Sequence, residues 1–496
     1  MLRRAFQAPI RPSGRVLAVA FAAGVLGALG QAPWGLWPVA LAGFGILIWL
    51  YRDANGVGPA AWLGWAGGAG YFALSLFWIV EPFLVDVPRH GWMAPFALFL
   101  MAGGLALLWA LAFGLAARIG GIWALAVLWT AAEMLRAVLF TGFPWASVGH
   151  IWAGHPVSQL GAWGGVPLLS FVTMIIAAGP SLRKPAMGAA LSCAVLASGW
   201  GYGALVLRGN AAQMTDHVVR LVQPNAPQHL KWDPDYIPQF LQTGLQLTSA
   251  AADVPVDLVI WPETSIAYPL DASPNTLAAV AGAAGGVPVI VGGNDRTENG
   301  WHNTLLLLDT DGSRRATYYK SHLVPFGEYI PFGEALAKIG ITGLAARNGG
   351  GFAAGPGPAL LDLPGIGKAL PLICYELIFP RNLRGLERAN LLLQITNDAW
   401  FGTISGPYQH LAQARLRAIE QGLPLVRAAN TGVSAVIDPW GRVLSQTKLG
   451  EAAFLDSAVP APATATLYAW LGDWPMRALL ALLLIAQITA RRLRAH

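Results

Sequence analysis

The sequence predicts a membrane protein with about eight transmembrane helices and one folded domain of the layered α/β or α+β type outside the bilayer. Of its 496 residues, 55% are hydrophobic and only 12% are charged, whereas soluble domains carry about 25% charged residues. Apolar segments of nearly membrane-spanning length fill the first 209 residues and the end of the chain. Between them, residues 210–470 carry charges throughout and alternate between strand and helix patterns.

Eight apolar segments approach the roughly 20 residues that a helix needs to cross the hydrocarbon core, where all backbone polar groups must be paired internally. Seven precede residue 210 and one lies near the end. Their approximate bounds are 16–31, 35–51, 60–80, 93–116, 119–139, 166–182, 186–207 and 475–490. We therefore expect a membrane domain over 1–209, a folded domain over 210–470, and a last transmembrane helix with a basic tail over 471–496.

The positive charges predict the orientation of these helices. The folded domain has 17 Lys and Arg against 21 Asp and Glu, a net charge of −4, while the remainder has a net charge of +10. The basic balance therefore belongs to the membrane part, which argues against nucleic-acid binding. With eight spans, one side of the membrane receives all of these basic residues: Arg3, Arg4, Arg11, Arg15, Arg52, Arg118, Arg183, Lys184, Arg491, Arg492 and Arg494. Because short cytoplasmic loops are rich in Lys and Arg, both termini are expected in the cytoplasm and the folded domain on the opposite, extracytoplasmic face.

Polar groups stand at the ends of several strand candidates in the folded domain. The strands themselves, such as "VDLVIW" and "ANLLLQIT", are nearly continuous in apolar residues, as is typical of strands covered on both faces. Ligands usually bind where the strands of a layered sheet end. The groups at these ends are Glu263, Lys320, Cys374 with Glu376, and Asn397 with Asp398.

Cys374 is one of only two cysteines, and the other, Cys193, lies in a predicted helix, so no disulfide framework is expected. Taken alone, each group has a structural explanation: a buried Cys is often a small hydrophobe, Glu263 can cap a loop, and a Lys is usually solvated. Together they predict chemistry, because a thiol of pKa about 8.5 is mostly protonated at neutral pH and needs a base. Glu263 can accept that proton, and Lys320 can stabilise the oxyanion of an attacked acyl group, aided by the backbone N–H after Cys374.

The segments "WPE", "YYKSHLVPFGEYIP", "ICYE" and "TNDAWFG" resemble those of the carbon-nitrogen hydrolase (nitrilase) superfamily. The resemblance implies an αββα sandwich fold. It also implies that Glu263, Lys320 and Cys374 form the Glu-Lys-Cys triad of that superfamily.

The chain as a whole is similar to the apolipoprotein N-acyltransferase family, through "VQPNAPQHLKW", "GPYQH", "RAANTG", the "TGFPW" segment at 141–145, and the helices that flank the folded domain. The resemblance implies transfer of an acyl chain from a phospholipid, usually phosphatidylethanolamine, to the amino group of the N-terminal diacylglyceryl-cysteine of an apolipoprotein. It implies a thioester on Cys374, no metal or organic cofactor, a bacterial inner-membrane location and a monomer. Supporting and pocket residues are implied as well: Glu328, Tyr375, Glu376, Trp232, Asn303 and Trp400.

Other interpretations stay open at this point. A membrane-tethered amidase would use the same triad and let water resolve the thioester, although a small amide would not require eight membrane spans. A transporter with an accessory binding domain is disfavoured by the complete Glu, Lys and Cys set. Glu328 and Glu376 can be structural partners of Lys or Arg, and Trp232 and Trp400 can be membrane-interface aromatics.

Two further features carry expectations. Glu133 and Arg136 lie in the fifth apolar segment, and ionisable groups at membrane depth are often functional, although an i, i+3 pair can be structural. Extracting an acyl chain from a bilayer costs about 0.8 kcal/mol per CH₂, so we expect the cleft to open toward the membrane, flanked by apolar loops such as 332–346.

Overall fold

The computed structural model describes residues 11–331 and 351–495, and the chain divides into two compact units. We call residues 1–211 with 466–496 the helical unit and residues 212–465 the sandwich unit. The apolar segment expected to flank the cleft, 332–346, lies outside the described residues.

Each of the eight predicted apolar segments coincides with a helix in the described part of the chain. In chain order the helices are α1 (Gly14–Ala28), α2 (Trp37–Arg52), α3 (Val57–Ser75), α4 (Glu81–Leu84), α5 (Val87–His90), α6 (Ala94–Ile119), α7 (Ile122–Arg136), α8 (Gly161–Ala178), α9 (Pro185–Gly209), α10 (Ile237–Ser249), α11 (Pro274–Ala284), α12 (Gly406–Gln421), α13 (Leu467–Leu471) and α14 (Trp474–Ala495).

Length and composition qualify only some of these helices as membrane spans. Among the described residues, three stretches are long and apolar enough: Val87–Ile119, Pro156–Ser181 and Pro185–Gly209. Val57–Ser75 and Phe77–Leu84, bent by 65°, pass the same test if taken together as one span, and α1 and α2 are apolar but shorter. The helical unit is therefore compatible with a bilayer, while the number of crossings is not fixed by helix length.

Helices α1 and α3 approach each other backbone to backbone. A Cβ added at Gly24 would lie 1.9 Å from the carbonyl oxygen of Gly67, and one added at Gly70 would lie 2.1 Å from that of Phe21. Small residues that let helices touch in this way are typical of membrane bundles, where helix association depends on close van der Waals packing.

A buried ion pair at the end of α7 holds the "TGFPW" segment in place. Arg136 and Glu133 are buried with 3.5 Å between their nearest charged atoms. The Arg136 guanidinium donates to backbone carbonyls of the segment, including that of Trp145 at 2.6 Å. Glu133 accepts from the N–H of Val148 at 2.8 Å and the hydroxyl of Ser170 at 2.9 Å. These contacts give the pair a structural role, because a non-helical segment in apolar surroundings needs partners for its backbone groups.

Replacing Arg136 by Met is expected to destabilise the helical unit, because it leaves the Glu133 carboxylate and two carbonyls buried without their partner. Breaking a buried pair in this way costs about 3–5 kcal/mol, which a thermal unfolding curve of the full-length protein in detergent would measure. Arg118→Met, at the end of α6, is the control and should unfold like wild type. An unchanged midpoint for Arg136→Met would contradict the structural role.

The sandwich unit contains two six-stranded sheets in its described residues. The strands are β1 (Met214–Gln223), β2 (Leu258–Ile260), β3 (Val289–Thr297), β4 (Gly300–Leu308), β5 (Arg314–Tyr319), β6 (Leu361–Leu363), β7 (Gly367–Ile373), β8 (Leu391–Thr396), β9 (Leu425–Ala429), β10 (Ala435–Ile437), β11 (Val443–Gln446) and β12 (Ala453–Pro460). The first sheet has the order β12-β1-β2-β3-β4-β5 and the second β11-β10-β9-β8-β7-β6.

The two sheets pack face to face and each carries helices on its outer face, which confirms the αββα sandwich. Along β2 and β3, Leu258, Ile260 and Ile290 point into the core between the sheets, while Val259 and Val289 pack outward with residues of α10 and α11. Strands β7 and β8 alternate in the same way between that core and α12. Successive side chains still point to opposite faces of the sheet, but because both faces are buried, both sets of side chains are apolar and the sequence shows continuous apolar runs.

Three strands lack the long apolar runs from which strands were predicted, and all three are outer strands of a sheet. Strand β12 is the outer neighbour of β1, and β6 and β11 are the two outer strands of the second sheet. Much of β11 and β12 is only partly buried, and β6 is only three residues long. Short or half-exposed edge strands lack the long apolar runs by which the central strands were predicted.

Candidate active site

The topology brings the predicted polar groups to one edge of the sandwich. Strands β1, β2 and β3 are mutually parallel, as are β7, β8 and β9. Strand β4 is antiparallel to both β3 and β5, so β5 runs in the same direction as β2 and β3. Glu263, which follows β2, and Lys320, which follows β5, therefore lie at the same edge of the first sheet. Cys374 and Asn397 follow the adjacent parallel strands β7 and β8 of the second sheet.

The Lys320 ammonium lies between two carboxylates. Its side chain is 1% exposed, and Nζ is 2.9 Å from Oε1 of Glu328 and 3.6 Å from Oε1 of Glu263. Although burial favours the neutral amine, the carboxylates of Glu328 and Glu263 raise the pKa of Lys320 above its ordinary value. Lys320 is therefore a permanent cation at neutral pH, as an oxyanion partner must be.

Asn303, from the start of β4, connects the two carboxylates. Its Nδ2 donates to Oε1 of Glu263 at 2.7 Å and to Oε1 of Glu328 at 2.9 Å. The second oxygen of Glu263 accepts from the backbone N–H of Asn397 at 2.8 Å, and that of Glu328 accepts from the N–H of Val324 at 2.8 Å. Each carboxylate is thus held at both oxygens, which fixes its position relative to Lys320.

Cys374 occupies a sharp bend between β7 and the 3₁₀ turn Cys374–Ile378. Its φ of 52° is left-handed, a conformation that costs a non-Gly residue roughly 1–2 kcal/mol. The side-chain amide of Gln394 donates to the Cys374 carbonyl at 3.2 Å, and Glu376 accepts from the N–H of Ile373 at 2.9 Å, so both sides of the bend are held. Backbone strain of this kind is found most often at functional sites.

Glu376 braces this bend rather than facing a substrate. It is fully buried and accepts hydrogen bonds from five described donors. Besides the N–H of Ile373, they are the hydroxyl of Tyr318, the N–H and hydroxyl of Ser321, and the N–H of His322, at 2.8 to 3.1 Å. Glu376 therefore ties the Cys374 bend in one sheet to the segment after Lys320 in the other.

Electrostatics keep the Cys374 thiol protonated until it reacts. Burial and the nearby negative charge of Glu263 raise the pKa of the thiol well above its ordinary value, with Lys320 acting in the opposite direction. A thiolate is therefore not stored in the free site. A reaction at this thiol would need a base to take its proton, and Glu263 is the carboxylate whose charge acts on it most strongly.

The remaining predicted residues lie around this centre. Tyr375 is buried, with its ring 4.9 Å from that of Phe379 and 5.7 Å from that of His322. Trp232 and Trp400 are half-buried, and no hydrogen bond joins either indole to the triad within the described residues. The structure thus brings Glu263, Lys320, Cys374, Glu328, Asn303 and Glu376 together, while the two tryptophans are not drawn into the polar network.

Sequence reasoning missed Lys231 and a buried network behind Cys374. Lys231 is 4% exposed, but a lone Lys in a loop gives no signal of burial. In the network, Asp398 accepts from His410 at 2.9 Å, bonds Arg427, and accepts from the hydroxyl of Thr396 at 2.9 Å. The polar residues of "NDAWFG" and "GPYQH" give no signal of this network, because the sequence does not show that Asp398 of the first segment contacts His410 of the second.

The described geometry agrees with the family matches. The carbon-nitrogen hydrolase family model matches residues 218–466, so the sandwich unit is a domain of that class. The model of the apolipoprotein N-acyltransferase N-terminal domain matches residues 23–179, within the helical unit.

Full-length relatives make the assignment more specific. The chain is 38% identical to apolipoprotein N-acyltransferase of Rhodopseudomonas palustris, over 96% of this chain and 95% of that protein. It is also 38% identical to that of Caulobacter vibrioides, over 96% and 94%. A solved CN-hydrolase superfamily protein from Xanthomonas campestris is 23% identical over 53% of this chain and 96% of its own, with a TM-score of 0.35. The chain belongs to the apolipoprotein N-acyltransferase family.

Glu328→Gln is expected to slow acylation of Cys374 about 10- to 100-fold, because the Lys320 ammonium loses the nearer of its two carboxylates. The single carboxylate that remains compensates for burial less well, so the pKa of Lys320 falls, and the variant should lose further activity at alkaline pH values at which wild-type Lys320 stays charged. The rate of thioester formation from an acyl ester, measured against pH, checks both effects.

The matched control is Glu387→Gln, which removes a carboxylate paired with exposed Lys368. It should leave the rate and the pH profile unchanged. A Glu328→Gln variant with wild-type rate and alkaline limb would show that Glu328 does not maintain the Lys320 charge.

Proposed function

We propose that this protein transfers an acyl chain from a phospholipid, with phosphatidylethanolamine as the expected donor, to the N-terminal amine of diacylglyceryl-cysteine in apolipoproteins. The observation that carries the proposal is the buried Glu263, Lys320 and Cys374 cluster in a chain whose family membership extends over nearly its whole length. The relatives' name supplies the reaction, and the cluster supplies groups that can perform it.

In the first half-reaction, Cys374 Sγ attacks the ester carbonyl carbon as Glu263 takes the thiol proton. The carbonyl oxygen becomes an oxyanion, which the Lys320 ammonium and the backbone N–H after Cys374 stabilise. When the tetrahedral intermediate collapses, the ester C–O bond breaks, and Glu263 returns the proton to the leaving oxygen. The products are a lysophospholipid and a thioester on Cys374.

In the second half-reaction, the neutral α-amine of the apolipoprotein attacks the thioester carbon. Glu263 accepts a proton from the amine nitrogen, and Lys320 again faces the oxyanion. The C–S bond then breaks, the amide forms, and Glu263 returns the proton to the Cys374 sulfur. Glu328 and Asn303 act through Lys320 and Glu263, whose charge and position they fix.

A bilayer location follows from the same chemistry. Both substrates carry acyl chains whose removal from the membrane costs about 0.8 kcal/mol per CH₂, so an enzyme held in the bilayer avoids that cost. We take the helical unit to cross the bacterial inner membrane eight times with both termini in the cytoplasm. The distribution of Arg and Lys supports this orientation and an extracytoplasmic sandwich unit. One chain supplies the whole triad, which supports a monomer.

Mass spectrometry of Cys374 tests the proposal. Full-length protein incubated in phosphatidylethanolamine vesicles should gain an acyl thioester on Cys374, and Cys374→Ala should gain none. Cys193→Ala is the matched control, because Cys193 is the other free thiol and lies exposed on α9. An adduct that persists in Cys374→Ala, or none in wild type, would refute the acyl-enzyme.

A diacylglyceryl peptide then separates acyl transfer from hydrolysis. If the peptide's N-terminal amine collects the acyl group, the protein is an acyltransferase. Release of free fatty acid at the same rate with and without the peptide would instead favour an amidase-type hydrolase.

A further inference from the structure

Lys231 differs from the other buried cations of the sandwich unit that the mechanism does not use, because Arg220, Arg417 and Arg427 each face a carboxylate. Lys231 is 4% exposed, and its Nζ donates to the hydroxyl of Thr264 at 2.7 Å and to the backbone carbonyl of Glu263 at 3.2 Å. No carboxylate of the described residues forms an ion pair with it within 4.0 Å. A buried ammonium held by neutral oxygens is unusual, and both oxygens belong to the turn that carries Glu263.

That turn is confined on its other side by β3. A Cβ added at Gly292 would lie 2.4 Å from the carbonyl oxygen of Pro262 and 2.7 Å from Cα of Glu263. Thr264 has a φ of 46°, which is left-handed and strained for a β-branched residue. The turn is thus wedged between the backbone of Gly292 and the ammonium of Lys231, and it would relax if one side were released.

Lys231 also borders a small cavity. Lys231 borders a cavity of about 20 Å³ together with Ser265, Tyr268 and Asn430, and a cavity of this size has room for one water molecule. Glu263 and Cys374 are the titratable groups that act on Lys231, and Tyr268 is another titratable side chain on the cavity. Burial lowers the pKa of Lys231 to about 8, and the negative charge of Glu263 opposes the shift.

We propose that Lys231 is a positioning residue for acyl transfer, whose ammonium holds the Glu263–Thr264 turn so that the Glu263 carboxylate stays aligned with the Cys374 thiol. The inference rests on the proposed function of the triad. It predicts that the reaction needs Lys231 in its charged form, because an ammonium donates stronger, charge-assisted hydrogen bonds to the turn than a neutral amine does.

The test compares Lys231→Met with wild type in the rate of thioester formation on Cys374 from phosphatidylethanolamine, between pH 6 and 10. Met has similar length but no charge, so the rate at neutral pH is expected to fall about 10- to 100-fold, with an unchanged KM for the lipid. Wild type should also lose activity as the pH rises through about 8, which is the alkaline limb of its pH profile, and Lys231→Met should lack this alkaline limb. Lys448→Met, which removes an 83% exposed side chain, is the matched control and should match wild type in both.

A second variant keeps the test decisive if Lys231→Met does not fold. Thr264→Val removes one acceptor and keeps the Lys231 side chain. Loss of that acceptor disfavours the ammonium, so the alkaline limb should move to lower pH and the rate should fall severalfold, with thermal unfolding near that of wild type.

Lys231→Met with the wild-type rate and alkaline limb would overturn the inference, as would an unshifted limb in Thr264→Val. A uniform loss of activity at every pH, with the limb retained, would also overturn it. If wild type itself forms no thioester, the proposed function fails instead, so the two failures are distinguishable.

Discussion

The burial of the Lys320 ammonium is the constraint on which the catalytic site depends. Removing a charge of this kind from water costs several kcal/mol unless opposite charges and hydrogen bonds compensate. Glu328 and Glu263 supply the charges, and Asn303 with the N–H groups of Val324 and Asn397 supplies the bonds. The same arrangement fixes Glu263 and Glu328 beside Lys320, so the contacts that stabilise the buried cation also position the carboxylates of the site.

The sandwich satisfies this constraint by letting both sheets contribute. Glu263 of the first sheet bonds the Asn397 N–H of the second, and Glu376 of the second bonds Tyr318 and Ser321 of the first. These links cross the apolar core at its edge, where backbone N–H groups become available as the strands end. Cys374 can therefore keep a strained backbone and a protonated thiol beside a carboxylate without losing its position.

Buried cations play a similar part in each unit. Arg136 holds the "TGFPW" segment through backbone carbonyls, and Lys231 holds the Glu263 turn through a carbonyl and a hydroxyl. In both places a charged side chain fixes irregular backbone that apolar packing alone cannot define, because packing is non-directional and hydrogen bonds are not. In each unit, a buried cationic side chain donates the hydrogen bonds that hold a loop in place.

The sequence by itself determined the layered fold and singled out three candidate reactive residues. Strands covered on both faces appear as apolar runs, and the polar groups Glu263, Lys320 and Cys374 stand out because they end such runs. The family resemblance pointed to Asn303, but only the tertiary structure decided how it and other residues join them. Asn303 precedes the apolar run of β4, Lys231 lies in a loop, and Asn397 reaches Glu263 across 134 residues of chain. Local patterns record how a segment is buried, but hydrogen bonds between distant segments depend on how strands are ordered and directed, which no single segment encodes.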